Sequence, residues 1–375
     1  MLDCARFYEL IESRGIRFFT GVPDSLLKNI CAYITDHTPS TRHVITANEG
    51  GAVGLAAGHY LGSGQPAMVY MQNSGQGNAI NPLASLADPD VYGIPMLLMI
   101  GWRGEPGVKD EPQHVKQGKI TLDLLDVLGI PYVVLESEEQ LAEKSLTKLL
   151  DRMFEESRPA ALVISDGVFA PYKMKKSNDC DSALTREEAI RIIVDQLDPQ
   201  DVVVSTTGKT SRELYEYRDV KDQGHQRDFL TVGSMGHSSH IALGIALNQP
   251  QRQVFCLDGD GAALMHMGAM AVNASLRPRN LKHIILNNGC HDSVGGQPTV
   301  GFAVSFTDIA LACGYAAAWR VDTPDTLAEM VAKLRQSEGP ALLEVRVRSG
   351  ARDDLGRPKT TPIENMKSFM ELLSL

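Results

Sequence analysis

Short runs of β-branched and large apolar residues recur along the chain, separated by stretches whose apolar positions follow a helical spacing. In the first half the apolar runs are 17–21 (RFFTG), 43–46 (HVIT), 67–71 (AMVYM), 95–100 (PMLLMI), 132–135 (YVVL) and 160–165 (AALVIS). Helical patterns lie between them, as at 24–34 (DSLLKNICAYI) and 51–61 (GAVGLAAGHYL). Strand runs spaced by helical patterns of roughly 10 to 15 residues predict βαβ units and a parallel sheet with helices on both faces.

Polar and charged residues dominate 172–181 (YKMKKSNDCD), which predicts a linker, and the rhythm then restarts. Thr185 with Glu188 opens a helix over 185–196 in a capping-box pattern, hydroxyl and carboxylate each serving the other's backbone N–H. Strand runs follow at 201–205, 254–258, 283–287 and 341–345. The expectation is two doubly wound α/β domains, 1–171 and 185–375, joined by a linker at 172–184. They repeat an architecture without a residue-level repeat.

A chain of 375 residues can bury two such cores. The net charge of -10 argues against a sequence-independent nucleic-acid binder, which needs a basic face. No apolar run approaches the roughly 20 residues that span a bilayer, so no membrane partner is expected. The opening MLDCARFYELIESRG has neither the basic nor the apolar region of a secretory signal. Six cysteines (Cys4, Cys31, Cys180, Cys256, Cys290, Cys313) show no CxxC pairing, which reads as reduced thiols in a cytoplasmic protein.

The most informative segment runs from Val254 to Val300. A strand enters Gly259-Asp260-Gly261 and a helical stretch at 262–276, and a second strand then ends in Asn287-Asn288, with twenty-five residues separating Gly261 from Asn287. Both strands end on the edge where parallel α/β sheets bind ligands. Glycines before a helix N-terminus admit a phosphate, yet the Asp260 carboxylate would repel it, and no P-loop lysine follows. A divalent cation between the two resolves the conflict, since Asp260 and an asparagine oxygen are hard ligands for Mg2+. The bland alternative is a tight turn with a capping Asp.

The Gly-Asp-Gly and Asn-Asn pairing at this spacing resembles the cofactor motif of the thiamine diphosphate-dependent enzymes. The resemblance implies two domains of the pyrimidine-binding and diphosphate-binding type, with the cofactor between subunits of at least a homodimer. It implies that Gly259, Asp260, Gly261 and Asn288 bind the cofactor. Asp260, Asn288 and the Cys290 carbonyl would hold Mg2+, the thiol being incidental. Thr207-Gly208 is similar to a diphosphate-contacting turn, and Ser234-Met235 to the segment whose apolar side chain bends the cofactor, although Met235 alone would read as core. Glu49 stands where the family keeps the acid that activates the aminopyrimidine. By itself it is only favourable charge at a helix start. The family's chemistry is attack of a thiazolium ylid on a keto carbon, loss of CO2 and protonation of an enamine.

The chain lacks the third, central domain of most members and resembles the short two-domain decarboxylases of substituted 2-keto acids. The loops at 19–28, 71–86, 101–119 and 287–300 carry that likeness. They imply 3-phosphonopyruvate as substrate and phosphonoacetaldehyde as product. A phosphonate needs cationic or N–H donors, and Arg103, Lys109, His114 and Lys119 share one Gly/Pro-rich loop. Ser25, Asn73, Ser74 and Gln76 are further candidate donors. Family position puts Asp24 near the reacting centre, where it would guide protons, unless it merely caps a helix. His291 is a candidate acid after the metal loop. The alternatives are a sulfopyruvate decarboxylase, a carboligase with the same cofactor, and a non-catalytic nucleotide-binding protein.

Overall fold

The computed structural model describes residues 1–175 and 182–374. Positions 176–181 of the expected linker, Cys180 among them, lie outside the described residues. The chain divides into two compact units, Met1–Ser177 with Val294–Gln297, and Asn178–Ser293 with Pro298–Leu375.

The first unit is a six-stranded parallel sheet: β1 (Phe18–Gly21), β2 (His43–Ile45), β3 (Ala67–Gln72), β4 (Met96–Gly101), β5 (Tyr132–Val134) and β6 (Ala160–Ile164), in the order β2-β1-β3-β4-β6-β5. β4 is buried along its whole length, as expected of a strand covered on both faces. Successive residues feed opposite layers. Met68 and Leu97 join Phe7, Ile11 and Leu149 on one face, whereas Val69 and Leu98 join Val53, Ala57 and Leu125 on the other.

The second unit is built from β7 (Val202–Ser205), β8 (Asp228–Leu230), β9 (Val254–Gly259), β10 (Leu281–Asn287), β11 (Ala317–Val321) and β12 (Ala341–Arg346). All pairs are parallel, in the order β11-β12-β10-β9-β7-β8. Counted from its own first strand, this is the order of the first sheet. The topology switches direction between β1 and β3 in one unit and between β7 and β9 in the other. Ligand-binding crevices form outside the carboxyl ends of strands at such points.

Helix Glu49–Ser63 shows how the local sequence builds an element. Asn48 caps it by accepting from the Gly51 N–H at 2.8 Å, and Gly64 ends it in a left-handed conformation at φ 71°. Ala52, Val53, Ala56 and Ala57 supply its buried stripe. The capping box of Thr185 and Glu188 is formed at the start of helix Arg186–Asp195.

The structure departs from the sequence expectations in three places. The helix expected from Asp24 starts at Lys28, because the Asp24 carboxylate accepts from the Leu26 N–H at 2.9 Å and closes a local turn; the cap is Leu27. The stretch after Gly261 is broken into helices Asp260–Met265 and Ala269–Ser275, with His266 leaving helical geometry at φ -132°, ψ 49°. Strands β8 and β11, both at sheet edges, have no counterpart among the predicted runs. No helix among the described residues is long and apolar enough to cross a membrane.

Candidate active site

In the second unit the carboxyl ends of β7, β9 and β10 gather most of the expected cofactor residues. Asp260 opens its short helix and is buried. One carboxylate oxygen accepts from the Asn288 N–H at 3.4 Å, and the other accepts from the Thr299 hydroxyl. No lysine or arginine pairs with it among the described residues. Burial pushes its carboxyl up to about 6, against those hydrogen bonds. The two asparagines divide the work. Asn287 donates to the Gly301 carbonyl and to Glu344, both at 2.8 Å, and accepts from the Gly289 N–H at 3.1 Å, so it builds the loop. Among the described residues the Asn288 side-chain oxygen accepts the Cys290 N–H, at 3.1 Å, and keeps a lone pair. Burial pushes the Cys290 thiol up to about 12, so it is a neutral S–H at ordinary pH. A Cβ on Gly301 would lie 2.5 Å from an Asp260 oxygen and 2.7 Å from the Asn287 oxygen, so glycine is required there.

Met235 and His291 converge on Gly261: a Cβ there would lie 3.2 Å from the imidazole and 3.5 Å from the Met235 methyl. Ser234 holds a left-handed φ of 52°, a strained conformation of the kind that clusters at ligand sites. Burial lowers the His291 imidazole to about 4, leaving it neutral. Thr207 donates to the Val232 carbonyl at 2.8 Å, and Gly208 has φ 95° with room for little more than hydrogen beside Ser293. Asp292 is gripped by Arg186 at 2.9 Å and Lys209 at 3.2 Å, and Arg186 also forms a two-pronged pair with Glu213.

Two buried hydroxyls here, Thr206 and Ser238, have no hydrogen-bond partner among the described residues. Ser238 begins helix Ser238–Asn248, whose first turn carries no acidic residue. Orphaned donors, a helix N-terminus and a buried carboxylate lacking a cation suit a metal-bridged diphosphate.

In the first unit the carboxyl edge carries a continuous row of polar contacts. Glu49 is buried and accepts from Asn78 at 2.8 Å. Gly75 lies so close that a Cβ would stand 2.4 Å from a Glu49 oxygen. Ser74 donates to the Gln72 side-chain oxygen Oε1 at 2.7 Å, and the Gln72 side-chain amide donates to Asp24 at 2.6 Å. Asp24 is fully buried, and burial raises its carboxyl despite the Gln72 bond; a Cβ on Gly101 would stand 2.1 Å from it. Next to it, Ser25 accepts from Arg103 at 2.7 Å.

The candidate substrate residues of this unit differ in burial and partners. Asn73 is wholly buried and spends its amide on the Arg103 backbone, donating at 2.7 Å and accepting at 3.2 Å, which shapes the loop. Gln76 is also buried and donates to the Thr121 carbonyl at 3.2 Å, while its side-chain oxygen has no hydrogen-bond partner among the described residues. Arg103, Lys109, His114 and Lys119 share the loop but not one environment. Lys109 and Lys119 are exposed, His114 is buried, and Arg103 makes a two-pronged pair with Asp110. Sequence reasoning passed over Gln72, Gly75, Asn78, Thr299 and Asp110. Only Asp110 left a trace, as an opposite charge seven residues from Arg103 in the same loop.

Comparison with known proteins accords with this geometry. Residues 5–126 match the family "Thiamine pyrophosphate enzyme, N-terminal TPP binding domain", and residues 206–345 match its C-terminal TPP binding domain. Over 386 aligned residues the chain is 37% identical to phosphonopyruvate decarboxylase of Streptomyces hygroscopicus, covering 99% of this chain and 94% of that one. The phosphonopyruvate decarboxylase of Streptomyces viridochromogenes is 35% identical with 98% and 94% covered. Sulfopyruvate decarboxylase of Methanosarcina acetivorans is 29% identical with 98% and 96% covered. Both halves of the fold thus have their counterparts, and the chain belongs to the thiamine pyrophosphate enzyme family as a carboxy-lyase related to phosphonopyruvate decarboxylase.

Proposed function

We propose that this chain decarboxylates 3-phosphonopyruvate to phosphonoacetaldehyde and CO2, using thiamine diphosphate and Mg2+. The bond between carboxylate and keto carbon breaks, and the keto carbon ends with a proton in place of CO2. The observation that carries the cofactor reading is the buried Asp260 carboxylate, faced by Asn288 and unmatched by any basic group among the described residues. The choice of keto acid rests on the near-full-length similarity to two phosphonopyruvate decarboxylases.

Asp260, Asn288 and the Cys290 carbonyl would hold the metal. Thr207, Gly208, Gly259, Gly261 and the first turn of helix Ser238–Asn248 would take the diphosphate, with Ser234 and Met235 alongside. When bound, thiamine diphosphate supplies the electron sink for the pair released as CO2 leaves. Glu49 would hold a proton at the aminopyrimidine ring; Asn78 and Gly75 fix its carboxylate. Asp24, buried with its carboxyl raised, would retain and deliver a proton more readily than an exposed aspartate. Neutral His291 stands beside Met235 as the other candidate. The working form would be a cytoplasmic homodimer or larger.

A second reading, sulfopyruvate as substrate, draws support from the near-full-length sulfopyruvate relative and from Arg103 being already paired with Asp110. The deciding experiment measures CO2 release from phosphonopyruvate, sulfopyruvate and pyruvate, with thiamine diphosphate and Mg2+ added or withheld. Cofactor-dependent preference for phosphonopyruvate supports the first reading. Preference for sulfopyruvate moves the substrate, and no release from any of the three refutes both.

A further inference from the structure

The reaction proposed above leaves open what recognises the acidic group on C3 of the keto acid. Of the four cationic residues in the 101–119 loop, two are exposed lysines and one is a buried histidine. Arg103 differs from them. Its guanidinium is four-fifths buried (side chain 19% exposed) and held on two sides, by Asp110 through Nε and Nη2 and by Ser25 through Nη1. Asp110 is itself fixed, accepting from the Gly104 and Glu111 N–H groups, both at 2.8 Å. A guanidinium carries five N–H bonds. Three are engaged among the described residues, which leaves one on each terminal nitrogen. A pair of parallel N–H bonds matches two oxygens of a phosphonate or sulfonate.

Its place fits as well. Ser25, Asp24, Gln72, Ser74, Gly75 and Glu49 form an unbroken row of contacts and chain neighbours along the carboxyl edge from Arg103. Arg103 therefore sits on the same edge as the glutamate assigned to cofactor activation.

We propose that Arg103 is the seat for the substrate's C3 oxyanion, with Ser25 and Asp110 as positioning residues, and that Asp110 also sets its charge preference. Asp110 aims the fork and at the same time offsets its positive charge. The seat therefore reads the tetrahedral shape of an XO3 group strongly and penalises a second negative charge. This rests on the decarboxylase reading.

The test is kcat/KM of the holoenzyme for phosphonopyruvate, sulfopyruvate and pyruvate in wild type, Arg103→Gln, Arg103→Lys and Asp110→Asn. Losing a charged, two-pronged contact should lower the phosphonopyruvate-to-pyruvate ratio about 10- to 100-fold in Arg103→Gln, mostly through KM. Lysine should recover only part of it. Removing the Asp110 charge should raise the phosphonopyruvate-to-sulfopyruvate ratio by about 5-fold, whereas a purely structural Asp110 would depress both substrates alike. Competition by 3-phosphonopropionate gives the same comparison for a variant too slow to assay. An active Arg103→Gln with the wild-type ratio and wild-type inhibition overturns the seat. An unmoved ratio in Asp110→Asn overturns the charge preference. Failure of the wild type on all three acids is instead a failure of the reaction assignment.

Discussion

Asp260 occupies a position that is unfavourable for a lone carboxylate: buried, held by the neutral Thr299 hydroxyl and backbone N–H groups, with its carboxyl pushed up to about 6. A divalent cation would reverse that cost, which gives the first expected outcome. Asp260→Ala should lose Mg2+-dependent binding of thiamine diphosphate by more than the roughly 10- to 100-fold that changes around a metal ligand typically cost. Calorimetric titration showing wild-type affinity would refute the assignment. Glu49 makes a complementary test, because it is assigned to the proton and not to binding. Glu49→Gln should keep the cofactor and lower kcat by about 100- to 10,000-fold, the range of a positioned acid or base; equal kcat in mutant and wild type would remove it from the chemistry. Both residues were legible in the sequence, since each sits in a short motif next to a strand end. Thr299, which donates to Asp260 across 39 positions, was not, because nothing in its neighbourhood marks it.

Among elements, the short 3-10 turn Asn73–Gly75 shows how a backbone position can confine a carboxylate proposed for catalysis. Gly75 has φ -73° and ψ -14°, angles open to any residue, so its requirement is steric alone. Gly75→Ala would drive a methyl into the Glu49 carboxylate, and turnover should fall about 100-fold, as small misplacements of reacting groups do. Unchanged circular dichroism with lost activity is the expected pair of results; full activity would mean that Glu49 can move freely. At the start of helix Arg186–Asp195, the backbone N–H and hydroxyl of Thr185 hold the Glu188 carboxyl below its usual range. An acid lowered in the folded state stabilises fully above its unfolded value of about 4.3 and loses that contribution as pH falls through the folded value. Glu188→Gln should therefore be about 0.5 kcal/mol less stable than wild type at pH 7 and indistinguishable well below that range. Urea titrations at both pH values decide it, and a gap that persists in acid would sink the charge argument. The edge strand β8 was missed for a related reason. Only three residues long, it carries an inward Asp228 that looks wrong for a strand until the buried Arg218 is seen pairing with it at 2.8 Å.

At the scale of the whole molecule, the two sheets share one strand order, and each offers its carboxyl edge at the switch between its first and third strands. The proposed chemistry divides between the units, with Glu49 and Arg103 in one and Asp260 and Asn288 in the other. If the cofactor is shared between subunits, specific activity should fall on dilution below the dimer dissociation constant and return on concentration. A rate per chain that stays constant while light scattering shows monomers would exclude a shared site. The sequence by itself determined ten of the twelve strands among the described residues and the family to which the cofactor motif belongs, and it singled out Glu49 and Asp260 as candidates, because periodicity and strand-end chemistry are written in neighbouring residues. Tertiary structure alone decided which polar groups stay available. It buried Asn73 and Gln76, tied Arg103 to Asp110, left Lys109 and Lys119 in solvent and brought Thr299 to Asp260. Burial and the Thr299–Asp260 contact depend on what the fold brings together across the chain, whereas the Arg103–Asp110 pair, seven residues apart, was at most hinted at by opposite charges in one loop.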